Sequence, residues 1–137
     1  MDLECNADKK DDQFKPYGAT PGHGIEWARL IVQWALSSFA NRDGARPYID
    51  AAEHLFARAV DDAWNADGAE GLVYTTDWNG TPVVTDRMHW TAAESLNTAA
   101  TLHAATGEAR YANWYATFAR YVDEHVIDHE ADHVPPA

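Results

Sequence analysis

The chain has 137 residues, of which 46% are hydrophobic, with six tryptophans and a net charge of −12 at neutral pH. This length suffices for one domain with a substantial core, and the apolar content excludes a disordered protein. The negative charge opposes binding to phosphate backbones and to anionic lipid, so we expect neither nucleic acid nor a membrane as a partner. A neutral ligand such as a monosaccharide carries no such penalty.

Cysteine content and hydropathy indicate where the protein works. Cys5 is the only cysteine, so the sequence offers neither a disulfide framework nor a cysteine-based metal site. No stretch approaches the roughly 20 apolar residues that a membrane-spanning helix needs, and the acidic N-terminus does not resemble a signal peptide. We therefore expect a cytoplasmic protein.

The first half of the chain predicts two helices after a polar connecting segment at residues 1–21. Helical spacing of apolar residues begins at Gly22 and continues to about Asn41. A second helix is predicted from about Arg46 to Trp64, with Pro47 in its first turn. The apolar positions expected to face the core in the first helix are Ile25, Leu30, Ile31, Trp34, Ala35 and Phe39.

The second half begins where the helical spacing of apolar residues gives way to a pattern typical of strands. Residues 72–75 and 81–84 are rich in β-branched and aromatic side chains and flank an Asn79-Gly80 pair, which predicts a β-hairpin. A third helix is predicted from about His89 to Ala105, followed by Gly107 at a C-cap position. A fourth helix is predicted over residues 108–128.

The two halves resemble each other at an offset of 62 to 66 residues. Each is predicted to contain a helix, a short turn and a second helix, so the expected fold is all-α with two helical units. The first unit, with its hairpin, occupies residues 22–86 and the second occupies 87–134. Because such units bury their apolar faces only against neighbours, the chain is predicted to be part of a larger array. A self-contained four-helix domain is the alternative.

Two segments carry a family resemblance. The string PYGATPGHGIEWARL at residues 17–31 resembles the signature of the N-acylglucosamine 2-epimerase family, and residues 87–128 are similar to the helical pair that follows it. The resemblance implies a partial (α/α)6 barrel, with residues 1–137 forming the C-terminal part of an epimerase/isomerase domain. The Pro-Tyr-Gly segment favours a mannose-type aldose–ketose isomerase over an N-acylglucosamine 2-epimerase.

The resemblance implies an acid–base role for His23, one of two catalytic histidines in the family. Neutral imidazole suits removal of a proton beside a carbonyl, because it both accepts and returns a proton near neutral pH. Glu26 follows three residues later on the same helical face and is predicted to orient the ring or to bind a sugar hydroxyl. No cofactor is expected, because hydrogen-bond donors can stabilise the enediol oxygens. Neither His129 nor His133 matches the family's second catalytic histidine.

The equivalent helix of the second unit offers the next candidates. Trp90 is predicted to stack on a sugar ring and Glu94 to contact the substrate, with a core tryptophan and a structural acid as the alternatives. Arg87 either reaches a substrate oxygen or pairs with a carboxylate. Packing roles are expected for Trp27, Trp34 and Trp114, and surface pairing for Arg29 and Gln33.

Two further possibilities remain open from the sequence. His125, His129 and His133 are spaced four residues apart and would align on a continuous helix as metal ligands, but the following prolines argue against one, and no metal site is predicted. The second possibility concerns function: a non-catalytic helical fragment that self-associates or needs a complementary fragment. Two copies would then cover each other's exposed barrel edges.

Overall fold

The computed structural model describes residues 8, 10, 12 and 15–129. It contains the four predicted helices and the predicted hairpin, in the order α1 (Pro21–Ser38), α2 (Arg42–Ala63), β1 (Thr75–Thr76), β2 (Pro82–Val84), α3 (His89–Thr106) and α4 (Ala109–His125). Within this described part, no helix is long and apolar enough to cross a bilayer.

The helices pack as two hairpins side by side. α1 lies against α2 on one side and against α3 on the other, and α4 packs on α3. α1 and α3 are joined where the Thr98 hydroxyl donates to the Ile25 backbone carbonyl at 2.9 Å, and Ala28 and Ala99 of the same helices are fully buried. The arrangement is that of part of a helical barrel, as the sequence predicts.

The buried face of α1 differs from the predicted one. Its core positions are Ile25, Ala28, Val32 and Ala35. Leu30 and Trp34, expected in the core, are exposed, and Trp27 is 59% exposed, so the expected packing role of Trp27 is wrong. Trp34 nevertheless packs edge-on against Tyr48 of α2, with the ring centroids 4.9 Å apart, at the exposed margin of that contact.

The start of α2 also differs from the prediction. The predicted boundaries are about Asn41 for the end of the first helix and about Arg46 for the start of the second, but α1 ends at Ser38 and α2 begins at Arg42. The Asn41 side chain caps it by accepting a hydrogen bond from the Gly44 backbone N–H at 2.9 Å. Pro47 consequently lies in the second helical turn rather than the first.

An aromatic cluster joins α2 to α4. Phe118 is 1% exposed and packs edge-on against Trp64 at a centroid distance of 5.2 Å. It stacks on Trp114, also at 5.2 Å, and meets Phe56 edge-on at 6.3 Å. The packing role expected of Trp114 is confirmed, since it lies partly buried against this core.

A buried carboxylate lies in the same contact between α2 and α4. Glu53 of α2 accepts hydrogen bonds from the Tyr111 hydroxyl and from Arg110, each at 2.8 Å, and pairs with Arg46 at 3.3 Å. Burial and this carboxylate raise the pKa of Tyr111 well above its usual range. The charge of Glu53 is thus compensated where α2 and α4 meet.

The hairpin is joined to the segment before α1. Ala19 and Thr76 exchange two backbone hydrogen bonds, of 2.9 and 3.0 Å, beside the pairing of β1 with β2. Gly18 has φ +100°, and a β-carbon there would lie 2.1 Å from the Thr76 carbonyl oxygen, so the close approach needs glycine. The residues immediately before α1 are therefore fixed by the hairpin.

Candidate active site at the α1–α3 interface

The first halves of α1 and α3 form the candidate site, which we call the α1–α3 interface. It consists of Gly22, His23, Glu26 and Arg29 of α1 and of Trp90, Thr91 and Glu94 of α3. Four of the five predicted site residues, His23, Glu26, Trp90 and Glu94, lie on it.

His23 is the third residue of α1, and its side chain is 54% exposed. Its Nδ1 lies 3.2 Å from Oε2 of Glu26. A carboxylate oxygen only accepts, so the imidazole donates from Nδ1, which leaves the Nε2 lone pair available. The arrangement provides an exposed imidazole that is oriented by a carboxylate.

Trp90 lies beside this pair. Its ring centroid is 4.9 Å from that of His23, and the two planes are inclined by 35°. Because Trp90 is the second residue of α3, its position depends on how closely the two helices approach at their first turns. Trp90 is partly buried, so its indole is packed at the interface and also reaches the surface beside the His23 imidazole.

The two glycines around His23 face different neighbours. A β-carbon on Gly22 would lie 2.6 Å from Cγ2 of Thr91 and 3.1 Å from the Trp90 ring, whereas one on Gly24 would meet Ala59 at an ordinary 3.5 Å. The Thr91 hydroxyl donates to the Met88 carbonyl at 2.7 Å, which holds its rotamer. Gly22 therefore permits the approach of α3, whereas nothing in the packing requires Gly24.

The glycine pair gives a matched test of this packing. We expect Gly22→Ala to lower the free energy of unfolding by about 1–3 kcal/mol, because the added methyl forces α1 and α3 apart. Gly24→Ala is expected to leave stability unchanged or to raise it by up to about 1 kcal/mol through helix propensity. Urea unfolding of both variants checks the difference in sign. Equal effects of the two substitutions would contradict the close contact described at Gly22.

Glu94 and Arg29 form an ion pair across the interface. Arg29 donates from Nε to Oε2 of Glu94 at 2.9 Å and from Nη2 to Oε1 at 3.0 Å. Both side chains are only 20% exposed. The hydrogen bond to Glu94, with the charges of Glu94 and Glu26, raises the pKa of Arg29. The surface pairing expected of Arg29 and Gln33 is observed between these two residues, but the principal partner of Arg29 is the half-buried Glu94 of α3.

Arg87 lies apart from these residues. Its guanidinium donates to both carboxylate oxygens of Asp67, at 2.7 and 2.6 Å, and to the carbonyls of Ala69, Glu70 and Thr85. These contacts use all five N–H donors of the side chain, and the hydrogen bonds hold the pKa of Asp67 well below its usual range. The carboxylate-pairing role is the one observed, and a role in substrate binding stays a prediction.

His125 and His129 do not lie on one helix. α4 ends at His125, and His129 contacts the backbone carbonyl of Asp123 at 2.9 Å. His133 lies outside the described residues. His125 does approach Glu70 and Glu124, but Arg120 donates to both carboxylates and already compensates their charge.

Comparison with known structures defines the class of protein. A solved structure of D-mannose isomerase superimposes with a TM-score of 0.83 at 32% sequence identity, covering 94% of this chain and 32% of that one. The fold of this chain is thus that of part of a helical barrel, as in that structure. The model of the N-acylglucosamine 2-epimerase (GlcNAc 2-epimerase) family matches residues 1–133, and the chain belongs to this family.

Curated relatives agree with this assignment. A D-mannose isomerase of Pseudomonas cannabina pv. alisalensis is 43% identical over 93% of this chain, and one of Thermobifida fusca is 43% identical over 91%. A third, from Marinomonas mediterranea, is 33% identical over 94%. The chain spans 30–31% of the length of these relatives.

Proposed function

We propose that the chain carries the His23 part of the acid–base site of an aldose–ketose isomerase that acts on D-mannose or a closely related monosaccharide. The observation that carries the proposal is the His23–Glu26 pair, exposed beside Trp90 on the α1–α3 interface. The identity to D-mannose isomerases over nearly the whole chain supports the choice of substrate.

The reaction requires transfer of one proton between neighbouring carbons. In the open-chain aldose, a base removes the C2 proton, the electron pair moves into a C1–C2 double bond, and the carbonyl oxygen at C1 takes up a proton. Return of a proton to C1 with loss of the O2 proton gives the ketose. In this scheme the free Nε2 of His23 exchanges the carbon-bound proton, and Glu26 stabilises the imidazolium that forms.

The number of bases distinguishes isomerisation from epimerisation. A proton can move from C2 to C1 on one face of a cis-enediol, so a single base suffices for that transfer. Inversion at C2 requires the proton to leave one face and return to the other, which needs groups on both sides. The identity to D-mannose isomerases favours the isomerase over the 2-epimerase, and a single group at His23 would suffice for the transfer from C2 to C1.

The neighbouring residues complete the proposal. Trp90 offers an aromatic face on which the sugar stacks, and Glu94 accepts a hydrogen bond from a sugar hydroxyl through the lone pairs that Arg29 leaves free. Arg87, whose donors are all engaged, acts by fixing the loop that leads into α3. No cofactor is needed for this chemistry.

Proton exchange in heavy water tests the proposed function. The purified chain is incubated with D-mannose, D-glucose or N-acetylmannosamine, and the C2 proton signal is followed by NMR. We expect loss of that signal for D-mannose, with D-fructose appearing. Loss of the C2 signal without any ketose would instead indicate an epimerase, and no exchange from a folded chain would refute the proposal for this chain.

A second candidate function is a helical fragment that assembles with another copy or a complementary fragment. It is favoured by a row of exposed apolar side chains along α1, formed by Trp27, Leu30 and Trp34, of which Trp34 is 51% exposed. Rows of this kind usually meet a partner. Light scattering over a hundredfold range of concentration tests it, and a mass that stays monomeric throughout would exclude self-association.

A further inference from the structure

The Arg29–Glu94 pair has features that a surface ion pair lacks. It joins two helices whose paired residues are 65 positions apart in the sequence, through two parallel hydrogen bonds. An exposed pair such as Arg58–Asp62 lies within one helix, with Arg58 66% exposed. Pairs of the second kind contribute little to stability or geometry, whereas a half-buried bidentate pair fixes orientation as well as distance.

The guanidinium of Arg29 is held from both sides. Its Nη1 donates to Oε1 of Gln33 one turn further along α1, at 3.2 Å, while Nε and Nη2 are engaged by Glu94. Arg29 is also close enough to Glu26 for the charge of that carboxylate to raise the pKa of the arginine. One cation therefore lies between the two carboxylates of the candidate site.

We propose that Arg29 is a positioning residue, which fixes the Glu94 carboxylate and the rotation of α3 relative to His23. Trp90 precedes Glu94 by one helical turn, so the rotation that sets Glu94 also sets the indole beside the imidazole. Three of the five N–H donors of Arg29 bind Glu94 and Gln33, so the protein itself fixes the position of the guanidinium. The inference rests on the proposed function in naming the site that Arg29 serves.

Arg29→Lys is the variant that tests this role. Lysine keeps the positive charge but cannot make the two parallel hydrogen bonds. The matched control is Arg42→Lys, because Arg42 also joins two helices, donating at 2.6 Å from its Nη1 to the Ala105 carbonyl at the far end of α3. A merely structural arginine would behave alike in both places.

The first readout is spectroscopic and needs no activity. The His23 ring lies 4.9 Å from Trp90, so the indole ring current shifts its Hε1 NMR signal. We expect Arg29→Lys to move this signal and Arg42→Lys to leave it in place, in chains whose amide spectra show that both are folded. A His23 signal that is unchanged in Arg29→Lys would overturn the inference.

The second readout uses the C2 proton exchange. We expect Arg29→Lys to slow exchange by about 10–100-fold through misplacement of the site groups, with Arg42→Lys close to the parent chain. Because Arg29 is inferred to act through Glu94, the double variant Arg29→Lys with Glu94→Gln should exchange the C2 proton no more slowly than Glu94→Gln alone. Additive losses would overturn the inference. Absence of exchange in the parent chain refutes the proposed function, and the His23 signal then decides on Arg29 separately.

Discussion

Replacing His23 with alanine is expected to slow exchange of the C2 proton by about 10²–10⁴-fold, the usual contribution of a positioned general base. The physical reason is that the substitution removes the accessible Nε2, while Glu26 cannot reach a substrate proton in its place without moving. Because the His23 side chain is 54% exposed, the fold should be retained. NMR exchange rates in heavy water, measured beside thermal melting curves, provide the measurement.

His54→Ala is the control for this experiment. His54 is also an exposed helical histidine, and its Nδ1 lies 2.7 Å from the Asp50 backbone carbonyl within α2. We expect its exchange rate to equal that of the parent chain. Full activity in His23→Ala would show that the base lies elsewhere, whatever the behaviour of the control.

The largest expected effect on stability comes from Phe118→Ala. This side chain contacts the rings of Phe56, Trp64 and Trp114, and its removal leaves a cavity between α2 and α4 that rigid aromatic rings cannot fill. We expect a loss of about 3–5 kcal/mol in the free energy of unfolding. For a domain of this size that corresponds to a fall in Tm of roughly 10–20 °C, measurable by calorimetry.

Tyr115→Ala supplies the comparison on the same helix. Tyr115 is 46% exposed and lies outside the aromatic cluster, so its removal should change the free energy of unfolding by about 0.5 kcal/mol or less. Similar losses from the two substitutions would mean that α4 does not pack through the face described.

The helices and the hairpin were predictable because their signals are local. Apolar spacing located all four helices, and the β-branched segments around Asn79-Gly80 located β1 and β2. The buried face of α1 was not predictable in the same way. A helix covered on two sides by small residues buries alanines and exposes tryptophans, which inverts the usual relation between side-chain size and burial.

The candidate site was also predictable only where its signals are local in the sequence. His23 and Glu26 lie three residues apart in one recognisable motif, so sequence alone brought them together. The partner of Arg29 could not be identified, because Glu94 belongs to another helix and the sequence carries many carboxylates. The position of Arg29 on the face of α1 that also carries Glu26 was the available signal. The partner of Arg87 could not be identified either, since Asp67 lies in a loop without a periodic pattern.

Residues 19–76, which include α1, α2 and the following loop, form a closed loop because the backbones of Ala19 and Thr76 are hydrogen-bonded to each other. Fluctuations that lift α1 from its neighbours must break this pairing or bend the residues on either side of it. The first turn of α1, which carries His23, therefore opens together with the hairpin and not by independent fraying, as helix ends commonly do. The exposed side chain of His23, which we propose to be catalytic, is in this way attached to a backbone held by tertiary hydrogen bonds.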